Sequence, residues 1–245
     1  MSGHSKWATM HRKKEKNDAA RGKVFTRIGR ELAVAVRMGG PDPEANSKLK
    51  DVIAKAKRNN IPNDNILRII KKSADDDTVY EEALYEGYAP GGVAVIVEVT
   101  TDNRNRTAAD MRHIFDKNGG SLGNSGCVSY MFDRKGVIEV EKTDDMEEDD
   151  LMMLALDAGA DDISDEGDVF EITTDPNVLE QVSAALQEAG IEIGEAEVQR
   201  VPQTTVTVSA EDAVKVNRLL EMMDENDDVQ YVFHNADLPD EDEEE

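Results

Sequence analysis

The chain is 245 residues long with a formal net charge of −25 and only 4% aromatic residues, so several small cores of Val, Ile, Leu, Met and Ala are expected rather than one large one. Its single cysteine, Cys127, excludes an intramolecular disulfide and a Cys-based zinc cluster. No run is long and apolar enough for a membrane helix, and the polar start MSGHSKWATMHRKK lacks a signal-peptide core, so a cytoplasmic protein with no membrane partner is expected.

The charge is divided between two parts of the chain. Residues 1–72 hold 18 Lys and Arg against 7 Asp and Glu, net +11, whereas residues 73–245 hold 10 against 46, net −36. A division of this kind bears on partners: the basic part can dock on a polyanion that the acidic part would repel. His4 to Lys16 is nearly all polar, with Lys6, Arg12, Lys13, Lys14 and Lys16 around the only tryptophan, Trp7. Such an arm is expected to be mobile in isolation, to track phosphates and to stack Trp7 on an exposed base; packing of Trp7 on the next helix is the alternative.

Residues 17–38 predict a first helix. Val24, Ile28, Leu32, Ala35 and Val36 fall on one face, and Lys23, Arg27, Arg30 and Arg37 form a stripe opposite. Gly39-Gly40-Pro41 stops it. A second helix is expected from about Asn46 to Asn59, with Leu49, Val52, Ile53 and Ala56 inward and Lys48, Lys50, Lys55, Lys57 and Arg58 among its charges. Beyond Pro62, Ile66, Leu67, Ile69 and Ile70 predict a short third helix ending in Lys71-Lys72.

After Ser73 the pattern changes. Val93–Val99 alternates as a strand, Asn103–Lys117 reads as a helix, and Cys127–Phe132 reads as a second strand, which together make one βαβ unit. Arg134 to about Gln203 then carries a complete βαββαβ series with 21 acidic and 4 basic residues, the ferredoxin-like order. Strand, helix and strand resume at Thr204–Val208, Ala210–Met223 and Val229–His234. Joined to the first βαβ unit, these predict a second ferredoxin-like unit with the other inserted in it, because hairpin tips tolerate insertion. The expected class is therefore α+β: a basic helical domain over 1–75, a discontinuous ferredoxin-like domain over 80–133 plus 202–236, an inserted acidic ferredoxin-like domain over 134–201, and an acidic disordered tail over 237–245.

Two Gly-rich segments, the turn Tyr85–Gly92 (YEGYAPGG) and the loop Gly119–Gly126 (GGSLGNSG), are expected to converge at one end of the sheet. Their backbone N–H groups are free either to approach a phosphate or peptide or to serve as ordinary turns, and neither segment is a P-loop or dinucleotide fingerprint. Arg104 and Arg106, in an otherwise acidic stretch, either contact phosphate or pair with nearby carboxylates. His4, His11, His113 and His234 have no ligand spacing, Cys127 reads as a core residue of its strand, and the acidic run Asp144–Asp150 lacks calcium-loop geometry.

The strings HSKWATMHRKKEKNDAARGKVFTRIGREL, YEGYAPGGVAVIVEVTTDNRNRTAADMRHIF, KNGGSLGNSGCVSYMF and DDVQYVFHN resemble the YebC family of bacterial cytoplasmic regulators along nearly the whole chain. The resemblance implies a helical N-terminal domain and two α/β domains, one interrupting the other. It also implies a role described for the family either as DNA-binding transcriptional regulation or as ribosome-associated translation that relieves stalling at proline-rich sequences. The expectation is a non-enzymatic regulator that binds DNA or ribosomal RNA, with the ribosome or a protein partner meeting the acidic domains. Its expected nucleic-acid-binding residues are Lys6, Trp7, Arg12, Lys13, Lys14, Arg21, Lys23, Arg27, Arg30, Arg104 and Arg106, with no catalytic residue, metal or cofactor.

Overall fold

The computed structural model describes residues 18–75, 78–143 and 146–238. Among these, residues 18–129 together with 206–238 form one compact unit and residues 130–205 form another. The expected basic arm, with Lys6, Trp7, Arg12, Lys13 and Lys14, lies outside the described residues, as do the acidic residues beyond Leu238.

In the larger unit, α1 (Asp18–Gly39), α2 (Ser47–Arg58) and α3 (Asn63–Asp75) close around one cluster. Ile28, Leu32, Ala35 and Val36 meet Leu49, Val52 and Ala56 of α2 and Ile66 and Ile70 of α3, which are the apolar positions that helical spacing selects. Asn46 links the first two helices. Its side-chain oxygen accepts the Leu49 N–H at 3.0 Å, capping α2, while its amide donates to the carbonyls of Ala35 at 2.7 Å and Gly40 at 2.8 Å at the end of α1.

The α/β part of this unit departs from the expected strand assignment. Tyr85–Ala89 is not a turn: it belongs to β1 (Glu81–Ala89), which pairs antiparallel with β2 (Val93–Thr101). The turn itself is only Pro90–Gly92, with Gly91 at φ 74° and Gly92 at φ 77°, where a side chain would be strained. α4 (Arg104–Lys117) leads to the short β3 (Ser121–Leu122), which pairs with β1. Cys127–Phe132 is not a strand either. It is loop and a 3-10 turn (Ser129–Met131), and the extended run begins at Phe132 in the other unit.

The smaller unit has the elements β4 (Phe132–Glu141), α5 (Glu148–Ala158), β5 (Asp162–Asp165), β6 (Val169–Thr174), α6 (Leu179–Glu188) and β7 (Ile193–Pro202). Its four-stranded sheet runs β5-β6-β4-β7 with every pair antiparallel, the ferredoxin-like arrangement expected for the insertion. Ile138, Val140, Phe170 and Ile172 alternate onto the sheet face that meets Leu151 and Ala155 of α5 and Val182 and Leu186 of α6.

The chain then returns to the larger unit with β8 (Val206–Thr207), α7 (Ala210–Asp224), β9 (Val229–His234) and β10 (Ala236–Asp237). There the sheet order is β3-β1-β2-β9. The expected strand Thr204–Val208 shrinks to β8, which leaves the sheet and pairs in parallel with β10. The strand β1 takes the position beside β2 that β8 would hold in a regular ferredoxin-like order. The α+β class, with a helical N-terminal region followed by β-rich α/β units, is what the structure shows.

Candidate nucleic-acid interface

Two arginines of the α1 stripe, Arg27 and Arg30, are held by carboxylates of their own unit. Arg27 Nη2 lies 3.1 Å from Asp224 Oδ1 at the end of α7, and both side chains are mostly buried. One turn on, Arg30 Nη1 lies 2.6 Å from Asp228 Oδ1 and donates to the Thr100 carbonyl at 3.3 Å. Arg21 and Lys23 are on the same helix, with side chains outside the described residues.

Asp228 is the centre of this contact. Its side chain is 5% exposed, and besides Arg30 it accepts from Arg106 Nη2 at 2.9 Å, Thr107 Oγ1 at 2.7 Å and Thr101 Oγ1 at 3.3 Å. Burial alone would push the Asp228 carboxyl up, but the donors Arg106, Thr107 and Arg30 outweigh it and hold the group below the usual carboxylate range. Arg106 is also paired with Asp102 at 2.8 Å, and its guanidinium is held charged by Asp228 and Asp102. Of the two readings left open for this loop, Arg106 takes the carboxylate pairing. Arg104 stays 67% exposed, with Glu81 Oε2 at 3.9 Å.

A cleft of about 430 Å³ opens beside Asp228. Arg30 and Arg106 line it together with Asp102, Asp110, Glu225, Asp227 and Asp228, so an anion entering there meets more carboxylate than guanidinium.

The Gly-rich segments do converge, but the N–H groups of Gly119, Gly120, Gly123 and Gly126 are spent internally. Gly87 pairs with Leu122 and Tyr88 with Ser121. A Cβ on Gly87 would fall 2.5 Å from the Ser121 carbonyl oxygen, which is why the strand carries glycine there. N–H groups at the end of this loop and just beyond it converge on Glu86: Gly126 donates to Oε1 at 2.7 Å, and Val128 and Ser129 donate to Oε2 at 2.9 and 2.8 Å. Burial raises the Glu86 carboxyl, yet these N–H groups prevail and keep it below its ordinary value. The anion that the loop holds is its own glutamate.

Cys127 is half-buried in this loop rather than in a strand. Burial and then the neighbouring Glu86 charge push its thiol up, so it stays protonated and a poor nucleophile at neutral pH. Among the described residues no group of three or more His, Cys, Asp or Glu is placed to hold a metal ion, and no helix is long and apolar enough to cross a membrane.

The remaining cations of the helical segment divide by partner. Lys48 pairs with Glu82 at 2.6 Å, and Lys55 pairs with Glu31 at 3.2 Å and hydrogen-bonds Tyr231. Arg37, Lys50, Lys57, Arg58, Arg68, Lys71 and Lys72 are exposed. Arg37 belongs to the expected α1 stripe, and none of the seven is among the expected nucleic-acid-binding residues. The signal that marks Arg68, Lys71 and Lys72 was present: on a helical wheel they lie opposite the buried Ile66, Ile70 and Ser73.

A basic helical segment followed by two α/β arrangements, one carried within the other, defines the class of this molecule. A model of the TACO1/YebC protein N-terminal domain matches residues 5–76, and one of the TACO1/YebC second and third domain matches residues 80–236. The chain belongs to the TACO1/YebC family. It is 59% identical over 238 residues to a protein of Acetivibrio thermocellus, covering 96% of this chain and 98% of that one. It is 57% identical over 241 residues to a protein of Lachnoclostridium phytofermentans, covering 97% and 100%. Both are named probable transcriptional regulatory proteins. The crystal structure of a conserved hypothetical protein from Aquifex aeolicus matches with a TM-score of 0.83 at 46% identity, over 93% of this chain and 95% of that one.

Proposed function

We propose that this protein is a non-enzymatic regulator of gene expression that works by binding nucleic acid, with its N-terminal helical segment as the grip. The observation that carries this reading is the segregation of charge, net +11 over residues 1–72 against −36 over the remainder. Charge of this sign, concentrated in one segment of an acidic protein, suits a phosphate backbone and confines binding to that segment. The names of the relatives support regulation of transcription, and hence DNA as the target.

The reading is tested by fluorescence anisotropy of the full chain with a duplex DNA and with a ribosomal RNA fragment, across salt. Binding should weaken steeply with salt, with a log–log slope of about −0.9 for each duplex phosphate neutralised. Sedimentation of lysate with and without nuclease then separates targets: co-migration with ribosomes, joined to weak DNA binding, would favour translation over transcription. No binding to either nucleic acid at low salt would defeat the proposal.

A further inference from the structure

We infer that the phosphate-gripping surface of the helical segment is the outer face of α2 and α3, formed by Lys57, Arg58, Arg68, Lys71 and Lys72, and that Arg27 and Arg30 are an internal clamp. The inference rests on the proposed nucleic-acid reading and says which cations serve it.

The argument starts from what each cation touches. Arg27 and Arg30 are spent on Asp224 and Asp228, at 3.1 and 2.6 Å, with side chains 14% and 21% exposed. To reach a phosphate they would have to abandon charge-assisted bonds to Asp224 and Asp228 in a poorly hydrated setting. A phosphate approaching Arg30 or Arg106 would also enter the carboxylate-lined cleft beside Asp228. Opposite sign at the point of contact, rather than net charge of the segment, decides where a polyanion docks.

The outer face meets that condition. Lys57 and Arg58 end α2, and Arg68, Lys71 and Lys72 occupy the last two turns of α3, all exposed and without an ion pair among the described residues. Residues 46–75 hold 8 Lys and Arg against 3 Asp and Glu. Arg68 and Lys72 stand one turn apart, so both guanidinium and ammonium can follow a single strand of backbone. Leu67, 64% exposed on the same side of α3, gives the cations an apolar neighbour suited to a sugar or base face.

The clamp has a separate task. Through Arg27–Asp224 and Arg30–Asp228 it fastens α1 to α7 and to the turn before β9, and Lys48–Glu82 adds a third tie from α2 to β1. The exposed face of α2 and α3 is thereby carried rigidly on the α/β part of its unit.

The test compares three full-length proteins for binding to one duplex DNA and one ribosomal RNA fragment over a salt series, with thermal melting alongside. Arg68→Glu/Lys71→Glu/Lys72→Glu should lose at least tenfold in affinity and flatten the salt slope by about three phosphates' worth, with melting unchanged. The neutral triple Arg68→Gln/Lys71→Gln/Lys72→Gln should show the same flattening and guards against a folding defect from charge reversal. Arg27→Gln/Arg30→Gln should instead lower the melting temperature by about 4 °C or more and keep the wild-type slope. Wild-type slope in both α3 triples, with wild-type protein binding normally, would overturn the face while leaving the nucleic-acid reading intact. Flattening by Arg27→Gln/Arg30→Gln as large as that of the triples would overturn the clamp. Failure of the wild-type protein to bind would instead defeat the underlying reading.

Discussion

Glu86 shows how a single residue can reverse the meaning of a motif. Gly-rich loops with free N–H groups are a standard anion cradle, and the residues from Gly119 to Gly126 have that composition. Here the cradle is filled from within, because β1 carries a carboxylate under the loop and receives N–H bonds from Gly126, Val128 and Ser129. The donors keep Glu86 below its ordinary range despite burial. Its contribution to stability is therefore complete above the unfolded carboxylate pKa of about 4.3 and is lost as pH falls through the lower folded value. Glu86→Gln should destabilise the larger unit by about 1–3 kcal/mol near neutral pH, read by urea unfolding, because an amide must set one N–H2 against backbone donors. An unchanged midpoint would mean that the loop holds itself without the charge. Nothing in YEGYAPGG announced this role: Glu86 stood in a stretch read as a turn, and its partners lie 40 to 43 positions away.

At the scale of elements, what the chain revealed depended on whether a pattern was local. The three helices were legible because apolar residues at helical spacing report directly on burial, and Ile28, Leu32, Leu49 and Ile66 are all buried as that spacing demands. β2 was legible as well, since Val93–Val97 is wholly buried. β1 was not, because EEALYEGYA mixes charge, glycine and tyrosine without clean alternation, and its strand character comes from pairing with β2 and β3. β8 failed in the opposite sense: TTVTV alternates well, yet β1 already occupies the sheet position and only Val206–Thr207 pairs, with β10. The arginines of α1 fell to the same limit, for a stripe is visible in sequence while Asp224 and Asp228, nearly 200 positions on, are not. The connection between α1 and α2 depends likewise on one side chain. Asn46→Ala removes a cap and deserts the carbonyls of Ala35 and Gly40, and should lower stability by about 2–4 kcal/mol. Asn46→Ser, which can still cap Leu49 N–H, should recover only part of that loss in the same unfolding experiment. Full recovery by serine would show that the bonds to α1 contribute nothing.

At the scale of the whole molecule, the acidic excess and one half-buried histidine act in opposite directions as pH falls. Residues 73–245 carry net −36, and protonating surface carboxylates relieves that self-repulsion, but mainly below about pH 4.5. His234 acts earlier. Its Nδ1 accepts the Ala236 N–H at 3.2 Å and its Nε2 is buried without a hydrogen-bond partner among the described residues, although part of the residue reaches the surface. Burial pushes this imidazole down to about 4. A folded pKa below the unfolded value means that the unfolded chain takes up the proton first, so stability is unaffected above about 6.5 and declines as pH falls from there toward 4. The decline should reach about 3 kcal/mol, at roughly 1.4 kcal/mol per pH unit, before relief of carboxylate repulsion sets in. Because the chain has two compact units, a single global midpoint would blur this, and hydrogen exchange of the β9 amides Val232 and Phe233 isolates it. Between pH 6.5 and 4.5 their protection should fall after correction for intrinsic exchange. In His234→Asn, which retains an acceptor for Ala236 N–H and cannot titrate, protection should stay level, and an equal fall in that variant would place the acid sensitivity elsewhere in the sheet.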